Sequence, residues 1–253
     1  MMKYIVQCTL LFGVLLLAAC QNINSSRAEL GIPPSVVIFS FDDGPNAQSA
    51  TTGQLLDVLE KHRIQAMFFL LGENAEHNPE LVNLIYAAGH YIANHGYSDK
   101  WASKMNDNEF RDNLVRGGAA IANALEQAGT ADSPADGLPY RLYRPHGGFY
   151  RSKQETIIRE EGYTVVPVTV RIYDAVMDGT KQQKAIKRIV KKIEQKNGGL
   201  VLLHDGRDSH SRMEQELSKN PHGVFDRSWI PAVVDAIIPQ LLDKGFILHS
   251  RLP

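Results

Sequence analysis

Two adjacent carboxylates, Asp42 and Asp43, are the side chains of this sequence best placed to do chemistry. They follow the apolar run 36–41 and precede a Gly-Pro pair at 44–45, so they lie where a buried strand would end. Two like charges that lose water together repel each other, and a cation or a proton relieves that repulsion. One carboxylate could bind a metal ion while its neighbour takes a proton from the metal's water. Asp-Asp-Gly-Pro is also good turn chemistry, so this segment alone leaves both interpretations open.

Further polar side chains follow other apolar runs. In chain order they are His95 and Asp99, Arg144, Asp174, and His204. Because the carboxyl ends of parallel strands meet on one face of a barrel, these side chains are expected to converge with the two aspartates. Two of these residues also have simpler explanations when they are considered singly. Arg144 fits an ordinary salt bridge at a strand end, and His-Asp-Gly at 204–206 fits a turn.

The elements that would position these residues alternate along the chain. Continuous apolar runs, such as 66–71, predict strands that are buried on both faces of a parallel sheet. Strands are predicted at 36–41, 66–71, 90–94, 140–144, 164–170, 199–204 and 245–249. Helices are predicted at 49–62, 78–88, 106–128, 152–160, 181–196 and 228–243, and irregular stretches at 129–139 and 205–227. Seven βα units predict a single α/β domain that closes in the manner of a barrel.

The N-terminus predicts export. A short apolar stretch at 10–17 follows Lys3 and ends in Leu-Ala-Ala-Cys, which resembles a bacterial lipoprotein signal cleaved before Cys20. That resemblance implies a signal peptide at 1–19, a lipid-modified Cys20 in a membrane, a tether at 20–35 and a catalytic domain at 36–253. If the cell has two membranes, Gln21 implies an outer-membrane anchor facing the periplasm; otherwise the anchor lies on the outer face of the cell membrane. A plain secretory peptide with an incidental cysteine is the alternative.

Charge balance excludes one class of partner. The chain has 27 basic and 28 acidic residues, which gives no electrostatic footprint for nucleic acid. The sequence does not determine the oligomeric state.

The ordered motifs resemble the NodB-type polysaccharide deacetylases, carbohydrate esterase family 4. Ser-Phe-Asp-Asp-Gly-Pro at 40–45 matches their first motif, and the segment from His95 to Asp99 falls on their second. Arg-Pro-His-Gly-Gly at 144–148 falls on the third, and Leu-Leu-His at 202–204 on the last. The likeness covers roughly residues 36–249 and implies a distorted (β/α)7 barrel.

The resemblance also implies a role for each site residue. Asp43 and His95 would bind one divalent metal ion, most often zinc, with manganese, cobalt or nickel as alternatives. Asp42 would be the general base, with Arg144 lowering its pKa. The backbone N–H of Gly147 would bind the oxyanion. His204, assisted by Asp174, would protonate the leaving amine.

Three departures from the family pattern bear on the site. The family's second metal-binding histidine is Asp99 here, and its i, i+4 spacing from His95 predicts that both reach one ion. Two carboxylates and one imidazole would favour a harder metal. Alternatively, Asp99 only caps the following helix. Arg171 and Ala175 stand where the family has an acidic and an aromatic residue. His146 replaces a proline and either touches substrate or faces solvent.

The sequence therefore predicts a metal-dependent hydrolase that removes N-acetyl groups from a cell-envelope polysaccharide. N-acetylglucosamine residues of peptidoglycan or of an exopolysaccharide are the expected substrate. A catalytically weakened glycan-binding lipoprotein on the same barrel and an O-acetyl polysaccharide esterase are the alternatives. An α/β-hydrolase esterase is excluded because no Gly-x-Ser-x-Gly nucleophile segment is present.

Overall fold

The predicted apolar runs form one parallel sheet in the computed structural model, which describes residues 20–127, 141–249 and 252–253. The strands are β1 Cys20–Asn22, β2 Val36–Asp42, β3 Met67–Leu70, β4 Tyr91–Asn94, β5 Leu142–Tyr143, β6 Phe149–Arg151, β7 Thr164–Val165, β8 Val170–Arg171, β9 Gly199–His204 and β10 Ile247–His249. The hydrogen-bonded order is β7-β5-β4-β3-β2-β9-β8, and β10 also pairs with β2. The sheet curls into a half-barrel, so the predicted single-domain α/β fold is confirmed.

Helices connect and cover these strands. They are α1 Thr51–Lys61, α2 Gly72–His77, α3 Pro79–Ala87, α4 Asp107–Gln127, α5 Ser152–Glu160, α6 Gln182–Lys196, α7 His210–Lys219 and α8 Ile230–Asp243. Helix α6 shows the principle: Ile186, Ile189 and Ile193 are buried at helical spacing, while its other face carries lysines. Within the described residues, no helix is long and apolar enough to cross a bilayer.

Strand β2, which pairs with β3, β9 and β10, sets the register of the sheet. Its residues 37–42 pair in parallel with residues 199–204 of β9, and residues 40–42 pair with residues 67–69 of β3. All residues of β2 after Val36 are buried. Its carboxyl end is therefore fixed by neighbours on both sides, and the side chains that follow it are held in place.

Two predicted elements differ from the structure. The run 164–170, predicted as one strand, forms the two short strands β7 and β8, because its first part pairs with β5 and its last residue with β9, at opposite ends of the strand order. Helix α7 lies inside the predicted irregular stretch 205–227; only Met213 of this helix is buried, so it shows no apolar stripe. The other predicted irregular stretch, 129–139, lies outside the described residues, as does the predicted signal peptide.

The segment predicted as a tether packs against the domain. Strand β1 pairs antiparallel with β6, and Asn24 forms a bridge with Val168. Ile23 and Ile32 are 2% and 1% exposed. This segment therefore contributes to the core, which its polar composition does not reveal.

Candidate active site

Strand β2 delivers Asp42 and Asp43 into the protein interior. Asp42 ends the strand, opposite His204 on β9, and both carboxylates are 3% exposed. Asp43 has φ +71°, a left-handed conformation that Asp tolerates better than most residues. Buried carboxylates require partners, and neighbouring strands provide them.

Arg144 is the partner of Asp42. Its Nη1 donates to Oδ1 of Asp42, at 2.5 Å, and to Oγ of Ser40, at 3.0 Å. Its guanidinium carbon lies 3.7 Å from the ring centroid of Phe69. The side chain is fully buried, and burial lowers the pKa of Arg144 although Asp42 opposes this shift. The ion pair implied by the resemblance is therefore present.

Three side chains converge around Asp43 in an arrangement suited to a metal ion. Its Oδ1 lies 3.3 Å from Nε2 of His95 and 3.6 Å from Nε2 of His146. One ligand atom from each of the three residues lies within 4.8 Å of the others. His95 donates from Nδ1 to the backbone carbonyl of Arg144, at 2.7 Å, as metal-binding histidines commonly do through their second nitrogen.

The charge states of this cluster also suit a cation. Burial opposes ionisation of Asp43, but the imidazoles of His95, His146 and His204 outweigh it and hold the pKa of Asp43 below its usual range. Burial lowers the pKa of His146. An ionised carboxylate and a neutral imidazole are the forms that bind metal ions.

Asp99 lies differently from the expectation. Its Oδ2 accepts a hydrogen bond from Nη1 of Arg212, at 3.2 Å, and Asp99 is outside the three-residue cluster. The expectation rested on i, i+4 spacing, which makes side chains neighbours on a helix. Residues 95–100 form a loop with bends, and Gly96 has φ +93°. His146, whose role the sequence left open, lies in the position that Asp99 was expected to take.

His204 and Asp174 form the second polar pair of the site. Nδ1 of His204 donates to Oδ1 of Asp174 at 2.9 Å, and the backbone N–H of His204 donates to Oδ2 at 2.9 Å. Burial alone would lower the pKa of His204, but the Asp174 carboxylate and, more weakly, Asp43 and Asp42 raise it to about 9. His204 is therefore protonated at neutral pH and able to donate a proton.

Gly147 lies in a 3₁₀ turn at His146–Gly148 and has φ +78°. A Cβ at this position would lie 2.9 Å from Cγ of Trp101. Glycine therefore fits both the conformation and the close approach of the ring, and it exposes backbone to the site.

A cavity of about 340 Å³ joins these groups. Six of the expected site residues line it, namely Asp42, Asp43, His95, Asp99, Gly147 and His204. Arg144 and Asp174 lie behind this lining and hold Asp42 and His204. Trp101 and Tyr173 also line the cavity and are 48% and 52% exposed. Lys104 lies near the ring of Trp101, and cationic side chains also lie near the ring of Tyr173. A larger cavity of about 760 Å³ lies beside α1, and none of the site residues lines it.

The two remaining departures from the family pattern also face this cavity. Nη2 of Arg171 lies 2.6 Å from where a Cβ of Gly148 would be, so this cation packs against the turn. Its charge adds to burial in lowering the pKa of Arg144. Ala175 and Tyr173 both line the cavity, so an aromatic ring is present two residues before the alanine.

Sequence reasoning missed three contributors to the site. Arg227 is fully buried and donates from Nη2 to Asp174, at 2.9 Å. Ile23 of the N-terminal segment lines the cavity. Burial, with smaller contributions from Asp43 and Asp42, raises the pKa of Asp205 to about 7. Arg227 and Ile23 belong to no motif; the Asp that follows His204 was visible but fitted a turn.

The chain is similar to several known proteins. A family model described as polysaccharide deacetylase matches residues 31–166. A peptidoglycan-N-acetylglucosamine deacetylase of Bacillus cereus is 44% identical over 209 residues, which cover 83% of this chain and 64% of that protein. A chitooligosaccharide deacetylase of Bradyrhizobium sp. (strain ANU 289) is 29% identical over 213 residues, covering 84% of this chain and 87% of that protein. A crystal structure of the Bc1960 peptidoglycan N-acetylglucosamine deacetylase has a TM-score of 0.63 at 25% identity and covers 85% of each chain.

Proposed function

The chain belongs to the polysaccharide deacetylase family, the NodB-type carbohydrate esterases of family 4, and we propose that it uses one divalent metal ion to remove N-acetyl groups from a cell-envelope polysaccharide. N-acetylglucosamine residues of peptidoglycan are the first substrate to test, because a relative that is 44% identical bears the name of that activity. Exopolysaccharide and O-acetylated polymers have the same reacting groups and are the alternatives.

The observation that carries the proposal is the joint placement of Asp42, Asp43 and His204 around one cavity. The ionised Asp43 faces two imidazoles, which fits a divalent ion of the zinc class, including cobalt and nickel. Asp42 lies beside this cluster, with Oδ2 3.6 Å from Nε2 of His95. His204 contributes a proton donor from the neighbouring strand.

A divalent ion held by Asp43 and His95 would supply Lewis acidity that polarises the acetyl carbonyl and makes a nearby water more acidic. Asp42 accepts the proton that the attacking water loses, at the carboxylate that Arg144 orients. The backbone N–H of Gly147 donates to the oxygen that becomes negative when water adds to the carbonyl carbon.

His204 completes the reaction. Its Nδ1 is occupied by Asp174, so Nε2 gives its proton to the amide nitrogen as the C–N bond breaks. The products are acetate and a free amine on the sugar. The proton that Asp42 gained then passes to His204, directly or through solvent, which restores the starting state.

The exposed rings of Trp101 and Tyr173 support a carbohydrate substrate. Aromatic faces at the rim of a polar cavity offer apolar area that packs against the C–H face of a sugar ring. Both rings line the cavity that holds the proposed reacting groups and are partly exposed, so they are placed to contact sugar units near the acetyl group that enters it.

The proposal extends to cellular location. Lipid on Cys20 would keep the enzyme at a membrane close to the wall polymer, at the outer membrane facing the periplasm in a cell with two membranes. Metabolic labelling with an alkyne fatty acid tests this: the wild type should take up label and the Cys20→Ser variant should not. Equal labelling of the two proteins would place the lipid elsewhere.

Acetate release tests the activity. The protein is incubated with peptidoglycan and with N-acetylglucosamine oligomers, before and after chelation, and then with single metals restored. Asp42→Asn should lower the rate by at least about 100-fold while the bound metal is retained. Asp112→Asn, on the exposed face of α4, is the matched control and should match the wild type. Full activity after complete metal removal, or a near-normal rate in Asp42→Asn, would contradict the mechanism.

A further inference from the structure

We propose that His146, rather than Asp99, is the third protein ligand of the metal ion, an inference that rests on the metal-dependent activity proposed above. The third metal ligand would then come from the turn after β5, in the motif Arg-Pro-His-Gly-Gly at 144–148. It would not come from Asp99, the fourth residue after His95. The set would be one carboxylate, Asp43, and two imidazoles.

The contacts of Asp43 carry the first step. Its Oδ1 is buried and has no hydrogen-bond partner among the described residues, although two imidazole nitrogens face it at 3.3 and 3.6 Å. An ionised buried oxygen with no donor is costly. Oδ1 of Asp43 and the Nε2 atoms of His95 and His146 converge without hydrogen-bonding to one another. A cation bound between these three atoms would be a partner for each of them.

The tautomer of His95 carries the second step. Its Nδ1 must bear hydrogen because it donates to the backbone carbonyl of Arg144. In the neutral ring, Nε2 then points a lone pair at the carboxylate of Asp43. A lone pair and an anionic oxygen repel each other, and a metal ion between them turns that repulsion into two bonds.

The position of His146 carries the third step. Its ring stands at 75° to that of His95, with the centroids 5.3 Å apart, and its Nε2 is the nitrogen nearest to Asp43. Two ligand nitrogens thus approach Asp43 from different directions. Nδ1 of His146 has no partner among the described residues, so this ring is less firmly oriented than that of His95.

Asp99 already has another partner. Arg212 bridges its carboxylate to that of Asp208, at 3.2 and 3.0 Å. This pair of contacts links the loop after β4 to the start of α7. Asp99 therefore has a role in holding the rim of the cavity that does not require a metal.

The ligand exchange has a chemical consequence. Two nitrogens and one oxygen favour borderline ions such as zinc and cobalt, whereas the set expected from the sequence favoured a harder ion. His146 also precedes Gly147, the proposed oxyanion donor. Metal binding would therefore fix the turn that presents the Gly147 N–H.

Metal affinity provides the test. The metal-depleted protein and the variants His95→Ala, His146→Ala and Asp99→Ala are titrated with zinc by calorimetry. His146→Ala should weaken binding by more than about 10-fold and His95→Ala by more still, since loss of an outer partner alone costs about 10–100-fold. Asp99→Ala should change binding by less than about 3-fold, as expected for a partly exposed ion pair. Circular dichroism of each metal-free variant checks folding.

A spectroscopic count of ligands complements the titration. X-ray absorption of the zinc-loaded wild type should show two imidazoles, and His146→Ala should show one. His146→Cys, which keeps a zinc ligand, should recover much of the affinity. If His95→Ala loses zinc while His146→Ala binds like the wild type, or Asp99→Ala loses it instead, His146 is not the ligand. If the wild type binds no divalent ion, the proposed function itself fails.

Discussion

Arg144 donates from its side chain to Asp42, and its backbone carbonyl accepts the Nδ1 proton of His95. One residue therefore orients both the proposed base and a proposed metal ligand. The two contacts are separable, because a substitution removes the guanidinium and leaves the carbonyl.

Arg144→Met should impair the base and spare the metal. Asp42 would stay buried without its cation, which costs about 3–5 kcal/mol of stability. The rate of acetate release should fall at least about 100-fold, while zinc affinity should change by less than about 10-fold. The double variant Arg144→Met/Asp42→Asn should be more stable than Arg144→Met. Equal loss of zinc and of rate would show that the two contacts are not separable.

Asp174→Asn should move the pH dependence of the reaction. Asp174 raises the pKa of His204, so removing its charge lowers that pKa from about 9. Because His204 must be protonated to act as the acid, the loss of activity with rising pH should begin at a lower pH in Asp174→Asn than in the wild type. The alkaline limb of the pH–rate profile should move down by more than about 1 unit. Asp112→Asn serves as the control, and an unmoved limb in Asp174→Asn would remove His204 from the role of acid.

His90 should make the fold sensitive to acid. Burial lowers the pKa of His90 to about 4, and its Nδ1 accepts the backbone N–H of Ala66. Between pH 6.5 and 4 the unfolded chain binds more protons than the folded one, so stability rises with pH across that interval. The free energy of unfolding should be about 1–3 kcal/mol lower at pH 4 than at pH 7 from this group.

Urea unfolding at the two pH values measures this effect. His90→Gln keeps a hydrogen-bond acceptor without a titrating ring, so its pH dependence should be smaller than that of the wild type. His222→Gln, at an exposed position, should leave the dependence unchanged. The same pH dependence in all three proteins would assign the acid sensitivity to other groups.

The N-terminal segment should be required for stability. Burial of Ile23 and Ile32 is worth about 1.5–3 kcal/mol each. A chain that begins at residue 36 should melt roughly 5–15 °C below one that begins at residue 20. Ile23→Ser should lower the melting temperature in the same direction, and Glu29→Gln, on the exposed part of the segment, should not. Equal melting temperatures for the two truncations would mean that the segment only rests on the surface.

The strands and helices that the sequence predicted well are those with strong apolar patterns. The continuous apolar run 36–41 strongly favours a buried strand, so the side chains of Asp42 and Asp43 at its end were expected to enter the interior. The run 164–170 shows the limit of that approach, because its two ends pair with strands at opposite edges of the sheet, which an apolar pattern does not reveal.

The candidate site was predictable where motifs mark it and unpredictable elsewhere. Asp42, Arg144 and His204 were visible because they follow strands. Arg227 contacts Asp174 from a stretch of sequence that has no motif and no apolar periodicity. The spacing of residues along the chain therefore does not reveal this contact. Asp99 lies outside the cluster of Asp43, His95 and His146, because residues 95–100 form a loop rather than the helix on which i, i+4 side chains are neighbours.

The pairing of β1 with β6 also bears on how the chain folds. Cys20 and Asn22 find their partners in Arg151 and Phe149, more than a hundred residues later. Strand β1 is therefore synthesised long before its partner strand, and contacts of such long range slow folding. We expect the N-terminal strand to dock last, closing over a sheet whose central strands have already assembled.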